Sequence, residues 1–336
     1  MKALVYTAPR RLEYQEWPDP ELGASEALVR IRAAAVCGSD LHGWLGHSRG
    51  RVPPLVLGHE MAGEVVEVRG DGAVAAGARV AVYPLMGCGH CAYCTSGRDY
   101  LCPSRKLLGL HIPGGFAEYV KAPIVNLDTL PPEVDFTGGA LVESLACGIH
   151  TAGLASRERG PLAILGAGPV GLMGLTAARQ AGFSKIAVVE VNPHRVEVAR
   201  RLGADLTVNP KAPNALEELQ GFFGGEGCAV VLDAAGFTVT RQSALRLVRT
   251  AGLIILAGLG EQETAFDCVD VIRREIRLTG AFAYSRREFQ SAVKWIAEGR
   301  LATADWISEA PLADGQTVFE SLVDPQSTRV KVVLKP

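Results

Sequence analysis

A basic block is the first thing missing from this sequence. Its 34 Lys and Arg residues are scattered among 36 Asp and Glu, leaving a net charge of −2. Without a cationic stripe to neutralise phosphates, nucleic acid is excluded as the main partner. A spanning segment is missing too. The charge-free stretch Leu162 to Ala178 has seventeen residues, with four glycines and a proline among them. A membrane helix needs about 20 apolar residues. The N-terminus, MKALVYTAPRRLEYQEW, alternates like a strand and lacks the apolar core of a signal peptide. A soluble, cytoplasmic protein is expected. Internal repeats and low-complexity tracts are also absent. With 48% hydrophobic and 21% charged residues, the chain has ample material for packed cores.

The length, 336 residues, suggests two domains. Up to residue 147, short Val/Ala/Leu runs such as ALVRIRAAAV (27–36), GEVVEV (63–68) and ARVAVY (78–83) are broken by Gly and Pro. That rhythm predicts an irregular, largely antiparallel β domain. From residue 148 to 285 strands alternate with helices. Strands are predicted at Leu162–Leu165, Lys185–Glu190, Asp205–Val208, Ala229–Asp233, Leu253–Ala257 and Ile276–Thr279. Helices are predicted from the end of the first strand to about Ala181 and over His194–Leu202. Six such strands describe an α/β doubly wound parallel sheet. After residue 286 an amphipathic helix, Arg287–Glu298, precedes a closing strand RVKVVLKP. That strand stands too far from the parallel series to join it and is expected to return to the first domain.

What is there in quantity is cysteine in one place. Four of the eight, Cys88, Cys91, Cys94 and Cys102, fall within fifteen residues as C-x2-C-x2-C-x7-C. Soft thiolates at that spacing suit a closed tetrahedral zinc site. A pair of disulfides is the rival reading, and nothing in the sequence suggests an oxidising compartment. Cys147, Cys228 and Cys268 are expected to be buried thiols acting as small apolar groups.

Gly166, Gly168 and Gly171, with Pro169 and Val170 between the last two, form G-x-G-x-x-G directly after the strand LAIL. Such glycines allow a tight turn and let backbone N–H groups approach a pyrophosphate at the helix's positive end. Glu190 closes the second strand, nineteen residues after Gly171. A carboxylate there accepts hydrogen bonds from ribose hydroxyls and repels a 2′-phosphate, which favours NAD. Asn192 and Arg195 follow it, and Arg195 could soften that preference.

Two further segments carry metal-binding side chains: Cys37-Gly38-Ser39-Asp40-Leu41-His42 and Gly58-His59-Glu60. Cys37 and His59 offer a thiolate and an imidazole, and Glu143 a carboxylate near the boundary between the two predicted domains. Three protein ligands with a fourth position open make the catalytic zinc pattern. The residues are distant in sequence, so spacing leaves open whether they converge.

Taken in order, CGSDLH, GHE, the four-cysteine lobe and GAGPVG resemble the zinc-dependent medium-chain alcohol dehydrogenases, nearest to the polyol type acting on sorbitol or galactitol phosphate. The resemblance spans essentially the whole chain. It implies a GroES-like catalytic domain over 1–147 and 286–336, and a Rossmann domain over 148–285. It further implies two zinc ions per chain, NAD, and a homodimer or homotetramer. Catalytic zinc would be held by Cys37 and His59 with Glu60 or Glu143, the choice between the two carboxylates staying open. Glu143 stands where many simple alcohol dehydrogenases have cysteine. Asp40 would orient His59 through its other ring nitrogen. Ser39 would take the alcohol proton and His42 pass it towards solvent. Gly38 stands where some relatives have an arginine on the pyrophosphate, so that contact is lacking. The expected substrate is a secondary alcohol or polyol. Simple alcohols and threonine-like hydroxy compounds are the alternative, and a zinc-binding interaction protein is the reading outside enzymes.

Overall fold

Antiparallel pairing starts with the first residues: Lys2–Ala8 pairs with Arg11–Glu16 and, on its other side, with Leu55–Val56. The computed structural model describes residues 1–48, 50–158, 160–303 and 306–336. The chain divides into two units, Met1–Ala146 with Tyr284–Pro336, and Cys147–Ala283. Among the described residues no helix is long and apolar enough to cross a membrane.

The larger sheet of the first unit runs in the order Leu127–Thr129, Arg79–Val82, Glu60–Arg69, Glu26–Ala35, Lys331–Lys335 and Ile307–Pro311. Tyr119–Pro123 pairs with the early part of Glu26–Ala35. In Glu26–Ala35 every second residue from Ala27 to Ala33 is buried, so one pleated face meets the core. Val29, Ile31, Met61, Val65, Val80 and Val82 form that core together with Phe116, Trp44 and Phe319. Trp44 and Phe116 are therefore core residues, stacked edge-on around Phe319. Gly63 sits where the register between Glu26–Ala35 and Glu60–Arg69 shifts. A Cβ there would fall 2.1 Å from the Arg30 carbonyl oxygen, so the bulge requires glycine.

The closing strand pairs antiparallel with Ala34 and Ala35, and parallel with Ile307–Pro311. The latter strand, ISEAP, carries too few apolar residues to be read from sequence. It is an edge strand, where only one ladder has to form.

The second unit holds a fully parallel six-stranded sheet ordered Leu206–Val208, Ile186–Val189, Leu162–Leu165, Cys228–Asp233, Val248–Leu256 and Arg277–Gly280. Leu162–Leu165 and Cys228–Asp233 are buried throughout, as strands covered on both faces must be. Together the two units bear out the expected fold class, a mainly antiparallel unit and a doubly wound parallel one. The fifth strand starts five residues earlier than its apolar core suggests, because polar Arg249 and Thr250 conceal it. Cys228 is buried as expected, whereas Cys268 lies exposed at the start of the helix Cys268–Arg273. A thiol at a polar helix start has no core to enter, which corrects the expectation for Cys268.

Candidate active site

Strand register brings the first set of residues together. Ala35 lies opposite Glu60 in one ladder, and Val333 lies opposite Ala35 in the next. Cys37, two residues beyond Ala35, His59 with Glu60, and Lys331 therefore meet at one end of three adjacent strands. Ligand atoms of Cys37, His59 and Glu60 lie within 4.8 Å of one another. Cys37 also begins the helix Gly38–Trp44, and its N–H donates to Asp40 Oδ2 at 3.2 Å, closing the first turn.

That turn aims Asp40 inward. It is fully buried, with Oδ1 3.3 Å from His59 Nδ1 and 3.1 Å from Arg51 Nη2. Burial alone would raise its pKa. The facing His59 imidazole and then Arg51 outweigh burial and hold Asp40 at about 2. For His59, burial disfavours charge, but Asp40 and then Cys37 raise it well above the ordinary histidine value. Asp40 and Cys37 therefore place negative charge around His59, which a divalent cation bound there would offset.

Glu60 is fully buried and meets Lys331, whose Nζ lies 2.6 Å from Oε1 and also contacts Oε2. Burial works against the Lys331 ammonium, but Glu60 and then Cys37 raise its pKa. Glu143 stands outside the group of three converging ligands among the described residues. Its Oε1 accepts a hydrogen bond from Tyr284 Oη at 2.9 Å. Burial first, then repulsion from Glu60, raises Glu143 to about 7 against the pull of His59. Ser39 is half-buried and accepts from Arg51 Nη2 at 3.2 Å. His42 is half-buried on the same helix, its ring centroid 5.1 Å from that of His47.

The second set is the cysteine lobe. Cys88, Cys91, Cys94 and Cys102 converge within 4.8 Å and form no disulfide. Cys94 Sγ lies 4.0 Å from Cys88 Sγ and 3.6 Å from Cys91 Sγ. A tetrahedron of sulfurs around zinc at ~2.3 Å has edges of about 3.8 Å, so the geometry fits that ion. The N–H groups of His90 and Cys91 lower Cys88 to about 6, while burial and then the neighbouring thiols push Cys94 up to about 12. Four such sulfurs can all be thiolates at once only around a cation, which offsets their mutual repulsion while the protons go to solvent. His90 is exposed and bonds the Cys88 carbonyl instead.

The third set lies at the carboxyl end of Leu162–Leu165, beside Cys228–Asp233, where the strand order reverses. Gly166 has φ +96, and a Cβ at Gly171 would fall 1.9 Å from the Gly166 carbonyl oxygen. A Cβ at Gly168 would meet nothing within 4 Å. Gly168 caps the helix Pro169–Gln180 with no side chain on its N–H groups, and Val170 lies in its first turn. An open, uncapped helix start beside a tight glycine turn fits a pyrophosphate. Glu190 is buried and accepts from the N–H groups of Ala167, Val191 and Asn192 at 2.8, 2.7 and 2.8 Å. Asn192 uses its side-chain oxygen to cap the helix Pro193–Arg201. Arg195 Nε is buried, with no hydrogen-bond partner among the described residues.

Comparison with known proteins places the chain in a family. A family model for zinc-binding dehydrogenases matches residues 169–298, and one for the alcohol dehydrogenase GroES-like domain matches 23–132. Sorbitol dehydrogenase of Bacillus subtilis (strain 168) is 32% identical over 347 residues, covering 100% of this chain and 97% of its own length. The chain belongs to the zinc-dependent medium-chain alcohol dehydrogenase family. L-Threonine 3-dehydrogenase of Chelativorans sp. (strain BNC1) is 33% identical, covering 94% of this chain and 93% of its own. The crystal structure of a zinc-binding dehydrogenase from Sinorhizobium meliloti 1021, bound to NADP, superposes with a TM-score of 0.90 at 29% identity. It covers 100% of this chain and 99% of that one. The protein is thus a zinc-dependent NAD(P) dehydrogenase, and a role as a mere zinc-binding interaction module is set aside.

Sequence reasoning missed three side chains at this dehydrogenase's candidate metal centre: Lys331, Arg51 and Tyr284. Lys331 had a signal, a lone charge inside the apolar run VKVVL. Arg51 and Tyr284 had none, since only folding brings them to Asp40 and Glu143.

Proposed function

We propose that this dehydrogenase transfers hydride between a secondary alcohol or polyol and NAD, at an open zinc centre held by Cys37, His59 and Glu60. The observation that carries this reading is the convergence of those three ligand atoms, with the Asp40 carboxylate on the far nitrogen of His59. Zinc held there supplies Lewis-acid polarisation of a hydroxyl oxygen, and NAD supplies the hydride acceptor. The four cysteines of the lobe hold a second, structural zinc, with no position left for substrate.

The chain's own groups do the rest. Asp40 Oδ1 accepts from the His59 Nδ1–H, which fixes the ring's tautomer and would leave Nε2 for the metal. Ser39 Oγ accepts the hydroxyl proton, and the His42 imidazole carries it on to water. Glu143, pushed up to about 7 by burial and by Glu60, adds a polar group that carries less charge near neutrality than an ordinary glutamate. In the nucleotide unit, the N–H groups of the glycine turn receive the pyrophosphate. Glu190 accepts from the ribose hydroxyls on lone pairs its backbone donors leave free, and so favours NAD.

Support for a polyol comes from Glu143 and from the sorbitol dehydrogenase relative. The threonine relative makes L-threonine the rival substrate. Reduction of NAD and NADP across sorbitol, other polyols, polyol phosphates, simple alcohols and L-threonine tests the reading. A polyol or its phosphate should give the highest kcat/KM, with NAD. Turnover confined to L-threonine, or none by zinc-loaded protein on any compound, would overturn it.

A further inference from the structure

Arg51 has no part in the reading above. It follows the helix Gly38–Trp44, and its side chain is buried. Burying a guanidinium is costly unless its donors find acceptors. Here Nη2 lies 3.1 Å from Asp40 Oδ1 and 3.2 Å from Ser39 Oγ, and Nε donates to the Gly109 carbonyl at 3.3 Å. The helix is shaped to admit it: a Cβ at buried Gly43 would fall 2.1 Å from Arg51 Cδ.

One nitrogen therefore touches both the carboxylate facing His59 and the hydroxyl assigned to proton transfer. An ion pair with Asp40 alone would need no contact with Ser39. Arginine carries donors only, so Ser39 Oγ accepts on that side and its own O–H turns elsewhere. The planar guanidinium holds its two acceptors in fixed directions, which a rotating ammonium does not.

We propose that Arg51 is a positioning residue that sets the direction of the Ser39 hydroxyl and, through Asp40 Oδ1, the orientation of His59. One Ser39 lone pair is engaged by Arg51 Nη2 and the other takes the substrate proton, while the hydroxyl's own proton leaves towards His42. The Ser39 half of this inference rests on the proposed function; the His59 half depends only on metal binding.

The test uses the full chain as Arg51→Met, Arg51→Lys, Ser39→Ala and the Arg51→Met/Ser39→Ala double variant. Two measurements are made: steady-state alcohol oxidation and zinc affinity by chelator competition. Arg51→Met should lower kcat about 10–100-fold with KM held within about threefold. That loss should shrink to about threefold or less when Ser39 is already alanine, as for residues acting as a unit. Arg51→Lys should recover part of it. Chelator competition should show zinc about tenfold looser at the Cys37 site, with the four-cysteine site unchanged. Equal kcat losses with and without Ser39 would overturn the hydroxyl role, and unchanged zinc affinity would overturn the His59 role. If the wild type oxidises no alcohol, the functional reading fails, and the zinc measurement alone decides Arg51. If Arg51→Met does not fold, Arg51→Lys enters the same comparisons.

Discussion

Lys331 Nζ lies 2.6 Å from Glu60 Oε1, with both side chains fully buried. The pair joins the closing strand to the carboxylate adjoining His59, so the far end of the chain helps set the charge of the candidate zinc centre. Removing one partner of a buried pair strands the other charge, at a cost of about 3–5 kcal/mol. Lys331→Met should cost that much stability in zinc-free protein and clearly less in zinc-loaded protein, because the metal compensates Glu60. Urea denaturation with and without chelator measures both, and equal losses would refute the link.

Metal content separates the two zinc sites. About two zinc per chain are expected in the purified protein. Cys37→Ser should remove one and abolish activity. Cys102→Ser should remove the other and loosen the lobe before it alters substrate preference. Elemental analysis with a substrate panel checks this, and a changed specificity in a stable Cys102→Ser protein would overturn the division of labour.

Glu190 holds three backbone N–H groups as well as its proposed place at the ribose. Glu190→Ala should narrow the preference for NAD over NADP, but it leaves those donors unpaired and costs about 1–3 kcal/mol. Glu190→Gln keeps an acceptor and removes the charge, so it should narrow the preference at a smaller stability cost. Unchanged kcat/KM for both cofactors in either variant would remove Glu190 from cofactor choice.

Glu143 titrates at about 7 when folded, against 4.5 for an ordinary glutamate. The folded state binds this proton more tightly than the unfolded chain. Its stabilising contribution is therefore full below about pH 4.5 and lost as pH rises through about 7. In zinc-free protein, Glu143→Gln should gain roughly 3 kcal/mol on the wild type between acid and pH ~8. Denaturation midpoints across that range report the difference, and a constant gap would contradict the assignment.

His42 is the proposed exit for the proton. His42→Gln should slow alcohol oxidation by up to about 100-fold, most strongly below neutral pH, with partial rescue by added imidazole. A wild-type pH profile in the variant would take His42 out of the path.

Much of the fold was legible because the two units use different rhythms. Buried strands such as LAIL and CAVVLD, separated by helical stretches, admit few arrangements other than a doubly wound sheet. The alternating, glycine-broken first part pointed to antiparallel pairing. ISEAP was missed because an edge strand does not need apolar residues. The four cysteines were legible as a cluster because their spacing is local, and a loop of fifteen residues has few ways to keep such thiols apart.

The candidate centre is a different matter. The types of Cys37, His59, Glu60 and Glu143 were visible, as was the chemistry each can do, because ligand identity is a property of the side chain. Which of them meet was not, because that depends on the register of strands far apart in the chain. Pairing Ala35 with Glu60 and with Val333 puts Cys37, Glu60 and Lys331 at one place, and a one-residue slip would turn these side chains to the opposite face. The same folding buried Arg51 against Asp40 and placed Tyr284 on Glu143. Local spacing settles the chemistry a loop can offer, while long-range register settles which charges face each other in the dry interior.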